Sequence, residues 1–263
     1  MRRALTIAGS DSGAGAGIQA DLKTFAARGV YGTSAITAIT AQNTLGVTGV
    51  LDLPEQLIEA QIDAVLSDIG TDSVKTGMLS SAAIIELVVR KLEQWEVDRL
   101  VVDPVMVAKG GDRLLREEAV GPLREKLLPL ALVLTPNLPE AEVLTGHQVR
   151  TRREMEDAAR EIVDMGVRHV VIKGGHAEGA PTDLLFDGRG FMEYVAERIP
   201  SANTHGTGCT FSAAIAAELA KGASVPEAVG AAKSYITEAI RQAPSIGGGH
   251  GPLNHFPTQE TAR

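Results

Sequence analysis

Short apolar runs alternate with amphipathic stretches along almost the whole chain. Ala4–Ala8, Ser34–Thr40, Val74–Thr76, Leu100–Val102, Leu132–Leu134 and Val170–Lys173 are brief, β-branched or Leu-rich, and mostly unbroken by charge. Runs of this length and character predict strands buried on both faces, as in a parallel sheet. Between them, Ile18–Ala27, Pro54–Ser67, Ser80–Glu93, Glu117–Leu127 and Arg152–Met165 carry helical spacing. In the second, Leu57, Ile58, Ile62, Val65 and Leu66 recur at that spacing, with Glu55, Glu59 and Asp63 on other faces. Gly29 and Gly166 follow their helices as C-terminal stops. Later, Thr182–Phe186 and Phe191–Val195, joined through Asp187-Gly188-Arg189-Gly190, predict a hairpin at a sheet edge. Helices over Thr210–Lys221 and Pro226–Ala243 and a loop over Gly247–Gly251 complete the pattern. Strands alternating with helices, without repeat or long linker, predict one three-layer α/β domain over residues 1–263.

Composition narrows the function classes. The 263 residues are 44% hydrophobic and 22% charged, enough to bury a full core. With 33 acidic and 25 basic side chains the net charge is −8, which argues against a nucleic-acid footprint and leaves local capture of anionic ligands open. The single cysteine excludes an internal disulfide framework and a cysteine-built zinc site, and suits a reducing compartment. The apolar run after Arg2-Arg3 is too short for a signal peptide, and no stretch approaches the ~20 residues that span a bilayer. The expectation is a cytoplasmic protein that binds neither nucleic acid nor membrane.

Candidate chemistry gathers where the predicted strands end. The first runs into Gly9-Ser10-Asp11-Ser12-Gly13-Ala14-Gly15-Ala16-Gly17 and then a helix, a natural ligand crevice. It makes a poor dinucleotide fingerprint: no acidic residue closes a second strand about 20 residues on, and that strand ends in Thr40-Ala41-Gln42-Asn43-Thr44 instead. A Walker-type phosphate loop is also missing. Asp103 follows Leu100–Val102. Asn137 and Glu140 lie in Thr135-Pro136-Asn137-Leu138-Pro139-Glu140, where two readings stand side by side. Asn followed by Glu three residues on is a helix-capping arrangement; alternatively, Asp103 and Glu140 hold Mg²⁺ and its waters. Lys173, followed by two glycines, can reach phosphate or simply face solvent. Finally Asn203-Thr204-His205-Gly206-Thr207-Gly208-Cys209-Thr210 opens an Ala-rich helix whose free N–H groups attract anions. A thiol at such an end is expected to be pushed toward thiolate, although a small buried cysteine is the plainer alternative.

Taken together, Ala8–Gly13, Gln19–Thr24, Thr40–Thr44, Asp103-Pro104-Val105-Met106, Thr135–Glu140, Lys173–His176 and Thr204–Cys209 occur in order from end to end. This set closely resembles the hydroxymethylpyrimidine kinase/phosphomethylpyrimidine kinases of thiamine biosynthesis, in the ribokinase superfamily. One small departure is Ala14, where the family more often has glycine and where Ala requires a permitted backbone angle.

The resemblance implies a ribokinase-like fold, a central, mostly parallel sheet flanked by helices with the active site at its C-terminal edge. It also implies ATP-dependent phosphorylation of hydroxymethylpyrimidine to its monophosphate and then its diphosphate, with Mg²⁺ and in a homodimer. Gly9, Asp21 and Gln42 would contact the pyrimidine and Met78 would pack on the ring. Gly206, Thr207, Gly208 and Cys209 would present N–H groups to the transferring phosphoryl, Lys173 would touch the nucleotide phosphates, and Asn137 and Glu140 would act through Mg²⁺ and water with Asp103 nearby. Cys209 stands where sugar kinases of the superfamily carry an aspartate base. A depressed thiol pKa would let it accept the proton of the substrate CH₂OH. The nearest rival is a pyridoxine or pyridoxal kinase, since that ring also bears a hydroxymethyl group; a sugar kinase, a pyrimidine-phosphate sensor and a dinucleotide oxidoreductase fit less well.

Overall fold

The computed structural model describes residues 1–107, 111–176 and 181–258. Nine strands form one sheet: β1 (Arg3–Asp11), β2 (Tyr31–Gln42), β3 (Val47–Asp52), β4 (Ser73–Thr76), β5 (Leu100–Val102), β6 (Val133–Leu134), β7 (Val170–Ile172), β8 (Thr182–Phe186) and β9 (Phe191–Val195). Their order is β3-β2-β1-β4-β5-β6-β7-β8-β9. The pairs from β2 through β7 are parallel. Antiparallel strands close both edges, β3 on one side and the β8–β9 hairpin on the other. The helices are α1 (Gly17–Ala27), α2 (Glu55–Ala64), α3 (Ala82–Gln94), a single turn α4 (Val120–Pro122), α5 (Leu138–Thr145), α6 (Arg152–Asp164), α7 (Thr207–Lys221) and α8 (Val225–Arg241).

The period-two geometry of the strands sorts the core into two halves. Leu5, Ile7, Val74, Leu100, Val102, Leu134, Val170, Ile172 and Leu184 face α2, α3, α5 and α6. Ala4, Val101, Val133, Val171 and Leu185 face the other way, toward α7 and α8 with Phe25 of α1. Each central strand is therefore covered on both sides, which is why its sequence reads as an apolar run and not as an alternation. Caps position the helices: Ser81 accepts from the Ile84 N–H at 3.3 Å, and Thr151–Glu154 and Ser224–Glu227 form reciprocal capping boxes. Gly29 and Gly166 end their helices with φ of 72° and 104°, as their positions predict.

Four local expectations are corrected. β3 is a strand that the hydrophobic pattern does not announce, because it lies at the sheet edge with most of its residues exposed. The Pro54–Ser67 pattern ends as α-helix at Ala64 and continues as a π-turn over Val65–Ile69. The Glu117–Leu127 pattern breaks into a 3₁₀ turn, α4 and a π-turn around Pro122, whose missing N–H cannot serve a regular ladder. Ala14 adopts φ 60°, the left-handed region, and not an ordinary angle. No helix among the described residues is long and apolar enough to cross a membrane.

Candidate active site

Because the central strands run parallel, β1, β2, β4, β5, β6 and β7 all end on one edge of the sheet, where a cavity of about 820 Å³ opens. Gly9, Gln42, Met78, Asp103, Asn137, Glu140, Lys173, Gly206, Thr207, Gly208 and Cys209 line it. Eleven of the twelve residues chosen from sequence thus converge in space. Asp21 does not line the cavity.

One end of the cavity is formed by the start of α7 and by Lys173. Gly206 is the N-cap of α7, with φ 81° and no side-chain cap. A Cβ there would run into the Gly15 carbonyl oxygen, so glycine is required by both conformation and space. The first-turn residues of α7 line the cavity; the Thr207 N–H donates to Thr204 O at 3.3 Å, and those of Gly208 and Cys209 lie outside the intrahelical ladder. Lys173 stands beside them: a Cβ added to Gly208 would lie 3.2 Å from its Nζ. The ammonium donates to Asp103 Oδ1 at 3.1 Å and sits 4.0 Å from Glu140 Oε2. Burial works against its charge, but Asp103 and Glu140 outweigh burial and raise its pKa. Asp103 is further held by Ser212 Oγ of α7, which donates to Oδ2 at 3.3 Å. Asn137 and Glu140 do form the capping box of α5, a helix absent from the periodicity reading. The Glu140 N–H donates to Asn137 Oδ1 at 2.9 Å and the Asn137 N–H to Glu140 Oε2 at 2.8 Å. The cap does not remove Glu140 from the cavity. Burial, reinforced by Asp103 and opposed by Lys173, pushes its carboxyl up to about 7.

The other end is formed by Gly9, Gln42 and Met78. Gly9 lets Met78 approach, since a Cβ at Gly9 would stand 2.9 Å from the Met78 Sδ. Gln42 Oε1 accepts from Thr40 Oγ1 at 3.1 Å, and its amide nitrogen lies 3.4 Å from His205 Nε2. Asp21 lies beneath this end, fully buried. Lys75 Nζ donates to both its carboxylate oxygens, at 3.0 and 2.8 Å, and Thr6 Oγ1 donates at 2.6 Å. With both oxygens committed to partners below the floor, direct contact between Asp21 and a ring is replaced by an indirect role through Lys75, which does line the cavity. The cause is Lys75 itself: a fully buried ammonium needs a carboxylate. A lysine in the middle of the Val74–Thr76 run was the sequence signal for it.

The expectation of a depressed thiol pKa at Cys209 is also overturned. Burial pushes it up to about 11, with Asp21 and Asp103 adding to the effect; Lys75 and the Gly17 N–H act in the opposite direction and lose. Helix N-termini favour thiolates where solvent or cations dominate, and here two buried carboxylates stand nearby.

Sequence reasoning also passed over Asp11 and His205. Asp11 accepts from the N–H groups of Gly13, Gly15 and Ala16 at 2.8, 3.1 and 2.8 Å, and lies 2.8 Å from His205 Nε2. Both line the cavity. Nothing local marks them as a pair, since 194 positions separate them.

A family model described as phosphomethylpyrimidine kinase matches residues 11–254. The chain belongs to this family. It is 53% identical over 256 residues to hydroxymethylpyrimidine/phosphomethylpyrimidine kinase of Bacillus subtilis, covering 97% of this chain and 94% of that one. It is 54% identical over 260 residues to thiamine biosynthesis bifunctional protein ThiED of Geobacter sulfurreducens, covering 98% of this chain and 53% of the larger relative. Among solved structures, an ADP complex of Bacillus subtilis pyridoxal kinase superposes with a TM-score of 0.92 at 44% identity, over 98% of each chain. The family membership and the ribokinase-like architecture agree with the resemblance carried by the motifs.

Proposed function

We propose that the protein transfers the γ-phosphoryl group of ATP to the hydroxymethyl group of hydroxymethylpyrimidine, and a second phosphoryl group to the resulting monophosphate, supplying the diphosphate for thiamine biosynthesis. One observation carries this reading. The uncapped N-terminus of α7 and the Lys173 ammonium share one cavity with the Gly9–Met78–Gln42 surface, so an anionic donor and a small aromatic acceptor have adjoining places.

Phosphoryl transfer demands positioning and charge neutralisation more than covalent chemistry. In the Gly206–Cys209 turn, Gly206, Gly208 and Cys209 offer backbone N–H groups to the charge that develops on the transferring group, while the Thr207 N–H, bonded to Thr204 O, shapes the turn. Lys173 bonds the nucleotide phosphates, and Asp103 keeps its ammonium aimed and charged. Met78 stacks on the pyrimidine while the Gln42 amide pairs with its donor and acceptor edge. Asp21 holds Lys75 in the floor. Cys209, in its minor thiolate form, takes the alcohol proton in the first transfer; the second acceptor is already anionic and asks for no base. Mg²⁺ fits the donor set in part. Asp103 and Glu140 are hard oxygen donors whose mutual repulsion a dication would relieve, while Asn137 orients Glu140. No group of three or more His, Cys, Asp or Glu gathers among the described residues, so Asp103 and Glu140 would hold the ion only together with nucleotide oxygens and water. When bound, the ion neutralises phosphate charge.

The reading takes residues 1–263 as one kinase domain, cytoplasmic as a lone cysteine suits, and homodimeric. Support for the dimer comes from the exposed edge strand β3, where Val50 and Leu51 stand 50% and 66% exposed beside Ile39 and Leu45. Leu51→Lys is expected to yield monomers by light scattering; an unchanged mass would place the contact elsewhere. Phosphorylation of a pyridoxal-type ring is the second reading, favoured by the structural neighbour of that activity. Incubation with Mg-ATP and hydroxymethylpyrimidine, with pyridoxine in parallel, decides between them by product mass. Sequential mono- and diphosphate supports the first reading, and pyridoxine phosphate alone supports the second.

A further inference from the structure

We infer that Asp11 and His205 are a positioning pair that locks the substrate-side glycine loop onto the phosphate turn and so fixes the acceptor ring relative to the transferring group. The inference rests on the kinase reading above and adds to it two residues to which the reading gives no role.

Asp11 ends β1, two residues beyond Gly9; His205 immediately precedes Gly206, the N-cap of α7. A contact of 2.8 Å between Asp11 Oδ2 and His205 Nε2 therefore ties the loop after β1 to the turn that opens α7. Both side chains are almost wholly buried, at 3% and 9% side-chain exposure. The junction is close-packed as well as bonded: a Cβ at Gly15 would strike the His205 ring, and one at Gly206 would strike the Gly15 carbonyl oxygen. The His205 N–H donates to Gly251 O at 3.1 Å, which brings the C-terminal loop into the same junction. Burial acts to raise the Asp11 carboxyl, but His205 and the Ala16 and Gly13 N–H groups outweigh it and hold the group ionised.

The chemistry also assigns the imidazole tautomer. An ionised carboxylate only accepts, so His205 presents its proton on Nε2. That nitrogen is then unable to accept from the Gln42 amide 3.4 Å away, and the amide hydrogens of Gln42 are left to a ligand. One pair thus serves two segments, shaping the loop after β1 and seating the N-terminus of α7, and leaves the Gln42 amide hydrogens unclaimed by His205.

The test compares His205→Leu, which removes the donor, with His205→Gln, whose amide nitrogen reaches about as far as Nε2. For both phosphorylations His205→Leu should lower kcat about 100-fold with KM for ATP changed less than about threefold, the mark of lost alignment and not of lost affinity. His205→Gln should recover activity to within about fivefold of the native protein, and Asp11→Asn combined with His205→Leu should lose little beyond the worse single change. Amide hydrogen exchange gives a readout independent of turnover. In His205→Leu, residues 13–16 and 206–209 should both exchange at least about tenfold faster while the β4 and β5 amides stay protected, and His205→Gln should restore both. Should the Leu variant fail to fold, His205→Asn, too short to reach Asp11, takes its place. Equal losses in the Gln and Leu variants, a change in KM alone, or faster exchange in only one segment would overturn the pair's role. A native protein inactive on both pyrimidines would overturn the kinase reading instead, and the exchange comparison would still decide whether the two segments are coupled.

Discussion

The Cys209 thiol gives the sharpest test of the electrostatics. Its ordinary value of 9.0 is moved to about 11 by burial and by the Asp21 and Asp103 carboxylates. A two-unit rise means about 100-fold less thiolate at any pH well below 9, and about one molecule in a thousand ionised at pH 8. Cys209 is the only cysteine in the chain, so alkylation by iodoacetamide, followed by intact mass, reports this site alone. The alkylation rate should still climb about tenfold per pH unit between pH 8 and 10, where an ordinary thiol levels off. If thiolate accepts the hydroxymethyl proton, the first phosphorylation should climb with the same slope while the second stays nearly flat. Cys209→Ala should then slow the first step far more than the second. An alkylation profile that levels off below about pH 10 would refute the burial argument. Equal losses in both steps for Cys209→Ala would refute the base assignment and leave the residue a packing role.

Gly206→Ala should lose at least about 100-fold in both phosphorylations, because the added Cβ meets backbone and not a side chain that can rotate away; activity near native would show that the turn has more freedom than its φ of 81° implies. Ala14→Gly should raise stability. Relief of a left-handed alanine, about 1–2 kcal/mol, exceeds the added unfolded-state entropy of about 0.4–1 kcal/mol, and a Tm gain of a few degrees in calorimetry is the expected size. His255 is buried against Thr210, 3.1 Å from its hydroxyl, and burial with Lys23 depresses its pKa from 6.5 to about 4. The folded protein therefore resists the proton that the unfolded chain accepts, so His255 stabilises above pH 6.5 and the contribution fades as pH falls toward 4. Urea midpoints measured from pH 7 to 4 should fall less steeply in His255→Gln than in the native protein; parallel slopes would contradict this.

Much of the fold was legible because strands covered on both faces leave a mark no other element leaves. The runs later seen as β1, β2, β4, β5, β6 and β7 announced themselves by short, mostly apolar or β-branched character, and the β8–β9 hairpin by its Asp187–Gly190 turn. Gly206 and Lys173 were legible for a related reason, since strand ends and glycine-led helix starts are written locally. β3 and α5 were not. An edge strand buries too little to impose a pattern, and α5 is short and opens with residues that read equally as a metal site.

What the sequence alone determined, then, is what depends on near neighbours along the chain: the succession of elements, the caps, and the place of each polar group at the end of a strand. Tertiary structure decided the rest. Asp21 and Lys75 stand 54 positions apart, and only packing α1 against the sheet shows that the aspartate is consumed beneath the cavity. Asp11 and His205 meet across 194 positions because β1 ends and α7 begins on the same edge. The protonation of Cys209 follows from burial beside carboxylates brought in by α1 and β5, none of it visible in Gly-Thr-Gly-Cys. Long-range electrostatics depends on distance and desolvation in space, and a linear chain specifies those only once it has folded.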